Sequence, residues 1–473
     1  MEGAYIEDQD GRRICFGIPK RAFDLFGLSL DGRAAADADE HLSFWMSADK
    51  QAIGVVFRQG CTFGHLVMRR RGDQRWALVS QTNNLSSAEI AADKMVDAMR
   101  VGEPPEGVPP GATPRPPLYE GKGAGTYAVL TDGYAHYPAA VVMQELYLAL
   151  PRPDKNFASD MRSANFDSRM WELYLLACFR EQGITVRQDH PSPDFFLERQ
   201  GATAYVEAVT AHSISGPIQM PSRPTFAPTD PGERQAGAAA ARFAKTLRSK
   251  LQKNYQAFAH VQGNPFALAI ADFHQSASMV WSRESLPCYI YGFVTEVIET
   301  PDGPVASRRA ISHLQDNNKL PTGLFLDPAN RHLSAIIFSN AGTMAKFNRM
   351  GYLAGLRPPG LRMERYGLIF DRRPGVLDPI EFRGDILSAE YEALWPGGEC
   401  WCQELEVYHN PLAAYPISHA LFPGASHWFE RDGEIVCEAY WENTFLSSVT
   451  ALKWDQEEID RALESAGAEP RLL

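Results

Sequence analysis

The sequence predicts an α/β protein, α+β overall, that has more than one domain. At 473 residues the chain is too long for one ordinary hydrophobic core, and its length suggests about two to four domains. Between residues 160 and 275, helical and strand patterns alternate in the order helix, hairpin, helix and buried strand. A proline-rich segment at residues 103–117 separates this region from a smaller one that precedes it.

The patterns place four segments along the chain. We predict a small α+β module at 1–102, a Pro/Gly-rich linker at 103–125, a core at 126–290 and a C-terminal elaboration packed on the core at 291–473. In the module, three short strands (AIGVVFRQG, CTFGHLVMRRRGD and QRWALVSQ) precede a helix that Ser86 or Ser87 would cap. The basic turn at 69–73 is expected to be a solvated hairpin tip, with phosphate contact as the alternative.

Composition describes an ordinary globular protein, 45% hydrophobic and 22% charged. The longest apolar runs, such as FALAIADF and LSAIIF, fall short of the roughly 18 residues that cross a bilayer, and the N-terminus lacks an apolar signal core. We therefore expect a cytoplasmic protein without a membrane partner. A net charge of −12 disfavours a protein that coats nucleic acid by charge alone, but it is compatible with a nuclease whose basic groups are local.

The seven cysteines are an odd number and contain no CxxC pair, which favours reduced thiols over a zinc site. Cys400 and Cys402 are expected on one face of a core strand. His409 has no acid or cysteine close to it in sequence, so we interpret it as structural.

The helix predicted from residue 167 carries an acid among apolar side chains. Asp167 or Ser168 is a plausible N-cap, and Glu172 lies near Leu175 and Phe179 on the helical wheel. A buried carboxylate there must be neutral, paired or bound to a cation. The alternative to a functional site is a buried salt bridge, for example with Arg169.

The hairpin that follows brings two more acids together. Asp194 opens the strand DFFLE, and Glu207 lies near the end of its partner AYVEAVT, on the same face as Val209. Taken singly, Asp194 could be a turn residue and Glu207 an edge-strand charge. Three carboxylates delivered by one helix and two adjacent strands are suited to hold a hard divalent cation.

Three short motifs carry a family resemblance: SRMWELYLL, Pro193-Asp194 and Val206-Glu207-Ala208. Over residues 160–275 the chain resembles the PD-(D/E)XK, or restriction-endonuclease-like, superfamily of nucleases. The resemblance implies a mixed sheet flanked by helices. It also implies that Asp194 and Glu207 bind Mg²⁺ or Mn²⁺, and that Glu172 completes the metal site directly or through water.

The sequence departs from this family at one position. The motif lysine, two residues after the second acid, is Val209 here. The next helical segment, 241–261, offers a replacement, because some branches of the superfamily place the lysine there. We favour Lys250, then Lys253; the alternative is a basic face that is solvated or grips phosphates. The cations of this segment are Arg242, Lys245, Arg248, Lys250 and Lys253, of which Lys245, Arg248 and Lys253 are candidate nucleic-acid contacts.

Downstream, the segment GTMAKFNRMGYLAG contains Lys346, Asn348 and Arg349. We expect a loop over the sheet edge, with nucleic-acid contact as the alternative.

The preferred hypothesis is a divalent-metal-dependent nuclease with Asp194, Glu207, Glu172 and Lys250 in its active site. DNA is favoured over RNA by analogy with the superfamily, and bacterial defence against foreign DNA is a further hypothesis. The N-terminal module would bind a target, a partner protein or a second copy of the chain. The alternatives are a nuclease-like DNA-binding or assembly subunit without activity, favoured by Val209, and a scaffold in which the three acids are coincidental.

Overall fold

A computed structural model of the chain describes residues 4–29, 39–100, 114–132, 134–212, 227–301, 303–315, 320–373 and 375–466. The first part of the predicted linker, residues 103–113, lies outside these ranges. The fold is mixed α/β and contains sheets of six, eight, two and three strands. Within the described ranges, every helix is too short or too polar to span a membrane.

The N-terminal module is a six-stranded antiparallel sheet whose strands follow sequence order. One helix, α2, packs Met95, Val96 and Met99 against one face. The three predicted strands and the helix are confirmed, and the Ser87 hydroxyl accepts a hydrogen bond from the Ile90 amide at 3.3 Å. The elements are β1 (Tyr5–Glu7), β2 (Arg13–Gly17), α1 (Lys20–Gly27), β3 (Glu40–Ser47), β4 (Ala52–Gln59), β5 (Thr62–Arg70), β6 (Trp76–Leu85) and α2 (Ala88–Arg100).

The turn at 69–73 is not the solvated tip that we predicted. Arg69 and Asp73 are buried, and Arg70 forms an ion pair with Glu145 at 2.5 Å. The Trp76 indole donates a hydrogen bond to the same carboxylate at 3.1 Å. The turn therefore attaches the N-terminal module to the helix that carries Glu145.

The middle of the chain contains the elements that build the candidate site. They are α3 (Thr126–Asp132), α4 (Tyr137–Ala149), α5 (Phe157–Met161), α6 (Phe166–Glu181), β7 (Thr185–Arg187), β8 (Phe195–Arg199), β9 (Ala202–His212), α7 (Pro231–Ala236), α8 (Ala238–Leu251), β10 (Phe266–Phe273) and α9 (Ser285–Tyr291). Two predicted boundaries were wrong. Helix α6 begins at Phe166 after Asn165, so Asp167 and Ser168 lie in its first turn. Helix α8 ends at Leu251, ten residues before the end of the predicted segment.

The last part of the chain adds a hairpin, further strands of the large sheet and a separate small sheet. Its elements are β11 (Phe293–Thr300), β12 (Gly303–Ala310), β13 (Ala335–Phe338), α10 (Met344–Leu353), β14 (Leu361–Ile369), β15 (Ile380–Asp385), α11 (Ala389–Glu392), β16 (Glu406–His409), β17 (Ser426–Arg431), β18 (Glu434–Ala439), β19 (Phe445–Trp454) and α12 (Gln456–Ala466). Cys400 lies in an irregular segment before β16, and Cys402 begins a short 3₁₀ helix, so neither is in the predicted strand.

The eight-stranded sheet has the order β18-β17-β16-β13-β10-β9-β8-β7. Strands β7, β8 and β9 pair antiparallel, whereas β9, β10 and β13 pair parallel. One face packs against α4 and α6, and the other packs against α8 and α9. Four of its strands come from beyond residue 290, so the predicted domain boundary does not coincide with a break in this sheet.

Helix α10 replaces the predicted loop over the sheet edge, and it explains why Lys346, Asn348 and Arg349 cannot contact nucleic acid. All three side chains are buried. Lys346 and Arg349 belong to a closed network with Arg365 and two carboxylates, Glu399 and Glu404. In this network Lys346 Nζ lies 2.7 Å from Glu399, and Arg365 lies 2.9 Å from Glu404. The cations therefore stabilise the packing of α10 against β14 and the 399–404 segment.

The charge balance of this network predicts an order of destabilisation. Glu399→Gln leaves three cationic side chains facing Glu404 alone, whereas Lys346→Met leaves two cations facing two carboxylates. We expect Glu399→Gln to lower the free energy of unfolding by about 3–5 kcal/mol, as unpaired buried charges do, and Lys346→Met to lower it less. Urea unfolding of both variants measures the difference. Equal losses, or a larger loss in Lys346→Met, would contradict this account.

Candidate active-site cleft

A cleft of about 600 Å³ lies between α6, the β8–β9 hairpin and α8. It contains all three acids that the sequence singles out, Glu172, Asp194 and Glu207, together with Lys250. The other side chains that line it are Asp160, Asn165, Ser168, Arg169, Ala208, Val209, Thr210, Arg242, Lys245, Thr246 and Ser249. The structure therefore brings together side chains from a stretch of sequence that begins at Asp160 and ends at Lys250.

Strand register brings two of the acids together. Phe195 pairs with Val206, so Asp194 and Glu207 each lie one residue beyond this pair at the same end of the hairpin. The Ala208 amide donates a hydrogen bond to Asp194 Oδ2 at 2.7 Å, which holds this carboxyl beside Glu207. The predicted hairpin and the adjacency of its two acids are confirmed.

The third acid comes from the helix on the opposite face of the sheet. Glu172 is buried, and its Oε1 accepts a hydrogen bond from Arg169 at 2.7 Å. The same guanidinium donates to Asp160 Oδ2 at 3.0 Å. Glu172 is thus both a member of the cleft and a partner in the salt bridge that we had weighed as the alternative.

Helix α8 places a lysine beside these acids. Alternation along β9 directs Glu207 and Val209 toward α8, and Val209 packs there in the cluster that contains Phe243 and Leu247. Lys250 Nζ lies 2.9 Å from Glu207 Oε1. Lys250 therefore points to the acids, as predicted from the sequence.

The other basic residues of the predicted set divide into two groups. Lys253 Nζ lies 3.7 Å from Glu207, and Lys245 lines the cleft. Arg248 does not line it, because its guanidinium donates to the Tyr289 hydroxyl and to the Pro321 carbonyl, each at 3.1 Å. The choice of Arg248 as a nucleic-acid contact is therefore not supported.

Two further residues contribute to the site without having been assigned to it. The Ser192 hydroxyl donates to Glu207 Oε2 at 3.0 Å, and Arg242 lines the cleft while donating to the His212 carbonyl. The sequence signal that could have identified Ser192 is its position two residues before Asp194. Arg242 belonged to the basic run, but nothing local distinguished it from Arg248.

The electrostatics of the cleft favour a bound positive ion. Burial, together with the negative charge of Asp194, raises the pKa of Glu172 to about 8. Burial, together with the charge of Glu207, raises the pKa of Asp194 to about 7. A cation between these groups would relieve both their desolvation and their mutual repulsion.

The donor set fits a hard divalent cation, since it consists of carboxylate oxygens. The donor oxygens of the three acids nevertheless do not all lie within 4.8 Å of one another. Within the described ranges, the groups of three potential ligands that are this close together lie elsewhere in the protein. Asp194 and Glu207, which the strand register places side by side, are the better candidates for direct ligands, and Glu172 could contact the ion directly or through water.

The chain was also compared with protein-family models, curated protein sequences and solved structures, and nothing in any of the three matches it.

Asp194→Asn tests what it costs to ionise a buried carboxyl in this cleft. The folded-state pKa of about 7 lies above the usual aspartate value. The stability contributed by the proton is thus complete below about pH 4 and is lost as the pH rises through about 7. In EDTA, the variant should unfold at a higher temperature than the parent protein at about pH 8.5, with a smaller difference at about pH 4.5.

Thermal unfolding at both pH values provides the measurement. Glu120→Gln, at an exposed acid outside the cleft, is the matched control and should show no such pH-dependent gain. If Asp194→Asn were less stable than the parent protein at the higher pH, the carboxylate would be well solvated or well paired, and the electrostatic account would be wrong.

Proposed function

We propose that this protein is a divalent-metal-dependent nuclease of the PD-(D/E)XK type, with a restriction-endonuclease-like core, that hydrolyses phosphodiester bonds in DNA. The observation that carries the proposal is the ion pair between Lys250 and Glu207, 2.9 Å long, in the cleft that Asp194 and Glu172 also line. A lysine from α8 thereby occupies the neighbourhood that a lysine at position 209 would have occupied. The mixed sheet flanked by helices supports the same proposal.

Each residue of the cleft has a role in this proposal. Asp194 and Glu207 hold Mg²⁺ or Mn²⁺, and Glu172 supports the ion directly or through water. When bound, the ion supplies Lewis-acid polarisation of the phosphoryl group. Lys250 is the chain's own cation beside the reacting centre, where an ammonium group orients the attacking water and stabilises charge that develops on the phosphate.

The surroundings of the acids are suited to a polyanionic substrate. Arg169, Arg242, Lys245 and Lys253 lie in or beside the cleft, although the chain as a whole carries a net charge of −12. Such a local basic cluster attracts phosphates while the rest of the surface repels them. DNA rather than RNA as the substrate, and defence against foreign DNA as the biological role, rest on the family resemblance.

A second candidate function is a nuclease-like subunit that binds DNA without cutting it. The observation that favours it is that two of the three acids already have cationic partners: Arg169 for Glu172 and Lys250 for Glu207. If those ion pairs persist in solution, they compete with a metal ion for the same carboxylates.

Cleavage assays distinguish the two functions. We expect plasmid and linear DNA to be cut with Mg²⁺ or Mn²⁺ but not with EDTA, and we expect Asp194→Ala to abolish cleavage. Tight DNA binding without cutting under any of these metals would contradict the nuclease and support the binding subunit. A gel assay of cleavage, with a parallel shift assay of binding, measures both properties.

Lys250→Met tests the proposed position of the lysine. Loss of a charge that stabilises the transition state should lower the cleavage rate by about 10²–10³-fold. Lys155→Met, at an exposed lysine outside the cleft, is the matched control and should cut at the parental rate. Val209 lines the same cleft, so adding Val209→Lys to Lys250→Met should restore part of the rate. An unchanged rate in Lys250→Met alone would show that Lys250 is not the catalytic cation.

A further inference from the structure

Three histidines meet at a different part of the large sheet. His409 ends β16, His427 is the second residue of β17, and His419 belongs to the connection between these two strands. One nitrogen from each ring can be chosen so that all three lie within 4.8 Å of one another. The parallel pairing of β16 and β17 and the return of the connection over the strand ends produce this convergence.

The spacing of the two buried rings resembles that of metal ligands. His409 Nε2 and His427 Nδ1 are 2.9 Å apart. Two nitrogens bound to one tetrahedral zinc ion, each about 2.0–2.1 Å from the metal, are about 3.3 Å apart. To bind one ion through these two nitrogens, the rings would have to separate by a few tenths of an ångström and turn toward a common point, and the proton between them would have to move to the other nitrogen of the His409 ring.

A backbone carbonyl orients one of these rings. His427 Nε2 lies 2.9 Å from the Phe422 carbonyl oxygen, which can only accept, so this nitrogen carries the proton. His427 Nδ1 consequently presents its lone pair to His409. A carbonyl that accepts the second ring proton is the usual outer partner of a metal-binding histidine.

The third histidine, His419, is the one that solvent and a metal ion can reach. The His419 side chain is 47% exposed, whereas the other two histidines are buried. His419 Nδ1 lies 3.6 Å from Glu438 Oε2, so a carboxylate is available as an outer partner or as a fourth ligand. Solvent can therefore reach the point where the three rings meet.

We propose that His409, His419 and His427 form a binding site for Zn²⁺ or a chemically similar transition-metal ion, with Glu438 or water in the fourth position. Imidazole nitrogens select such ions over Mg²⁺, which prefers oxygen ligands. The site is thus chemically distinct from the acidic cleft, and it does not depend on the proposed nuclease activity.

The metal would tie the connection at 410–425 to the sheet. Arg199, the last residue of β8, donates a hydrogen bond to the Ala420 carbonyl at 2.6 Å, one residue after His419. An ion held by His419 and by two strand residues would thereby also restrain the hairpin that carries Asp194 and Glu207. Its role in this proposal is structural.

A second group, Glu181 with Cys400 and Cys402, also places its potential ligands within 4.8 Å of one another. Its carboxylate is already satisfied, because Glu181 Oε2 accepts hydrogen bonds from the amides of Trp401 and Cys402 at 2.7 and 3.1 Å. We therefore propose no metal site at this group.

The test is Zn²⁺ binding to the full chain after removal of metals with a chelator. Calorimetric titration should show one strong site, and Co²⁺ bound in its place should give the intense visible absorption of a tetrahedral complex. His419→Ala, at the exposed ring, should weaken Zn²⁺ binding by at least about 100-fold. Absence of strong Zn²⁺ binding by the parent protein would overturn the proposal.

Two control variants locate the site. His313→Ala, at another exposed histidine, and Cys400→Ser should each keep parental Zn²⁺ affinity. Parental affinity in His419→Ala would overturn the proposal, as would a loss confined to Cys400→Ser. Circular dichroism of His419→Ala should match that of the parent protein, so that a loss of affinity reports a lost ligand rather than a lost fold.

Discussion

The buried carboxylate of Glu207 is the constraint on which the cleft depends. Strand β9 lies inside an eight-stranded sheet, where an ionised side chain is costly unless a cation compensates it. Lys250 meets that requirement at 2.9 Å. Lys250 reaches Glu207 because α8 packs on the face of the sheet toward which Glu207 points. The parallel pairing of β9 with β10 requires a crossover connection, and α8 is part of that connection.

The same constraint explains how an acidic chain can contain a cleft with several basic side chains. Two of the buried carboxyls in the cleft have a guanidinium or ammonium group beside them, Arg169 for Glu172 and Lys250 for Glu207. The raised pKa values of Glu172 and Asp194 indicate that this compensation is incomplete. Residual repulsion between carboxyls is what a divalent cation relieves, so the imbalance itself favours a metal-binding role over a purely structural one.

The C-terminal part of the chain forms half of the strands of the large sheet. Four of its strands extend the sheet that carries the acids, and its buried cations, Lys346, Arg349 and Arg365, are all used in internal ion pairs. The histidine cluster lies in this part, and the connection that carries His419 accepts a hydrogen bond from Arg199 at the end of β8. Integrity of the cleft and packing of the last third of the chain are therefore linked.

Local patterns determined the elements around the candidate site. The alternation of side chains in the hairpin was sufficient to predict that Asp194 and Glu207 are adjacent, because it depends on neighbours within a few residues. The choice of Lys250 from the basic run also drew on the family resemblance. Boundaries were less well predicted: Asp167 and Ser168 proved to lie inside α6, and Cys400 and Cys402 lie outside any strand.

Only the tertiary structure decided which distant residues meet. Lys346 pairs with Glu399, 53 positions away, and Arg70 pairs with Glu145, 75 positions away. His409 lacked a partner nearby in sequence, and its partner His427 is 18 positions along, beyond a connection whose path no local pattern specifies. Sequence periodicity predicts which face of a helix or strand is buried, but it does not predict which other element packs on that face. The pairing of these buried charged and histidine side chains depends on which elements pack together.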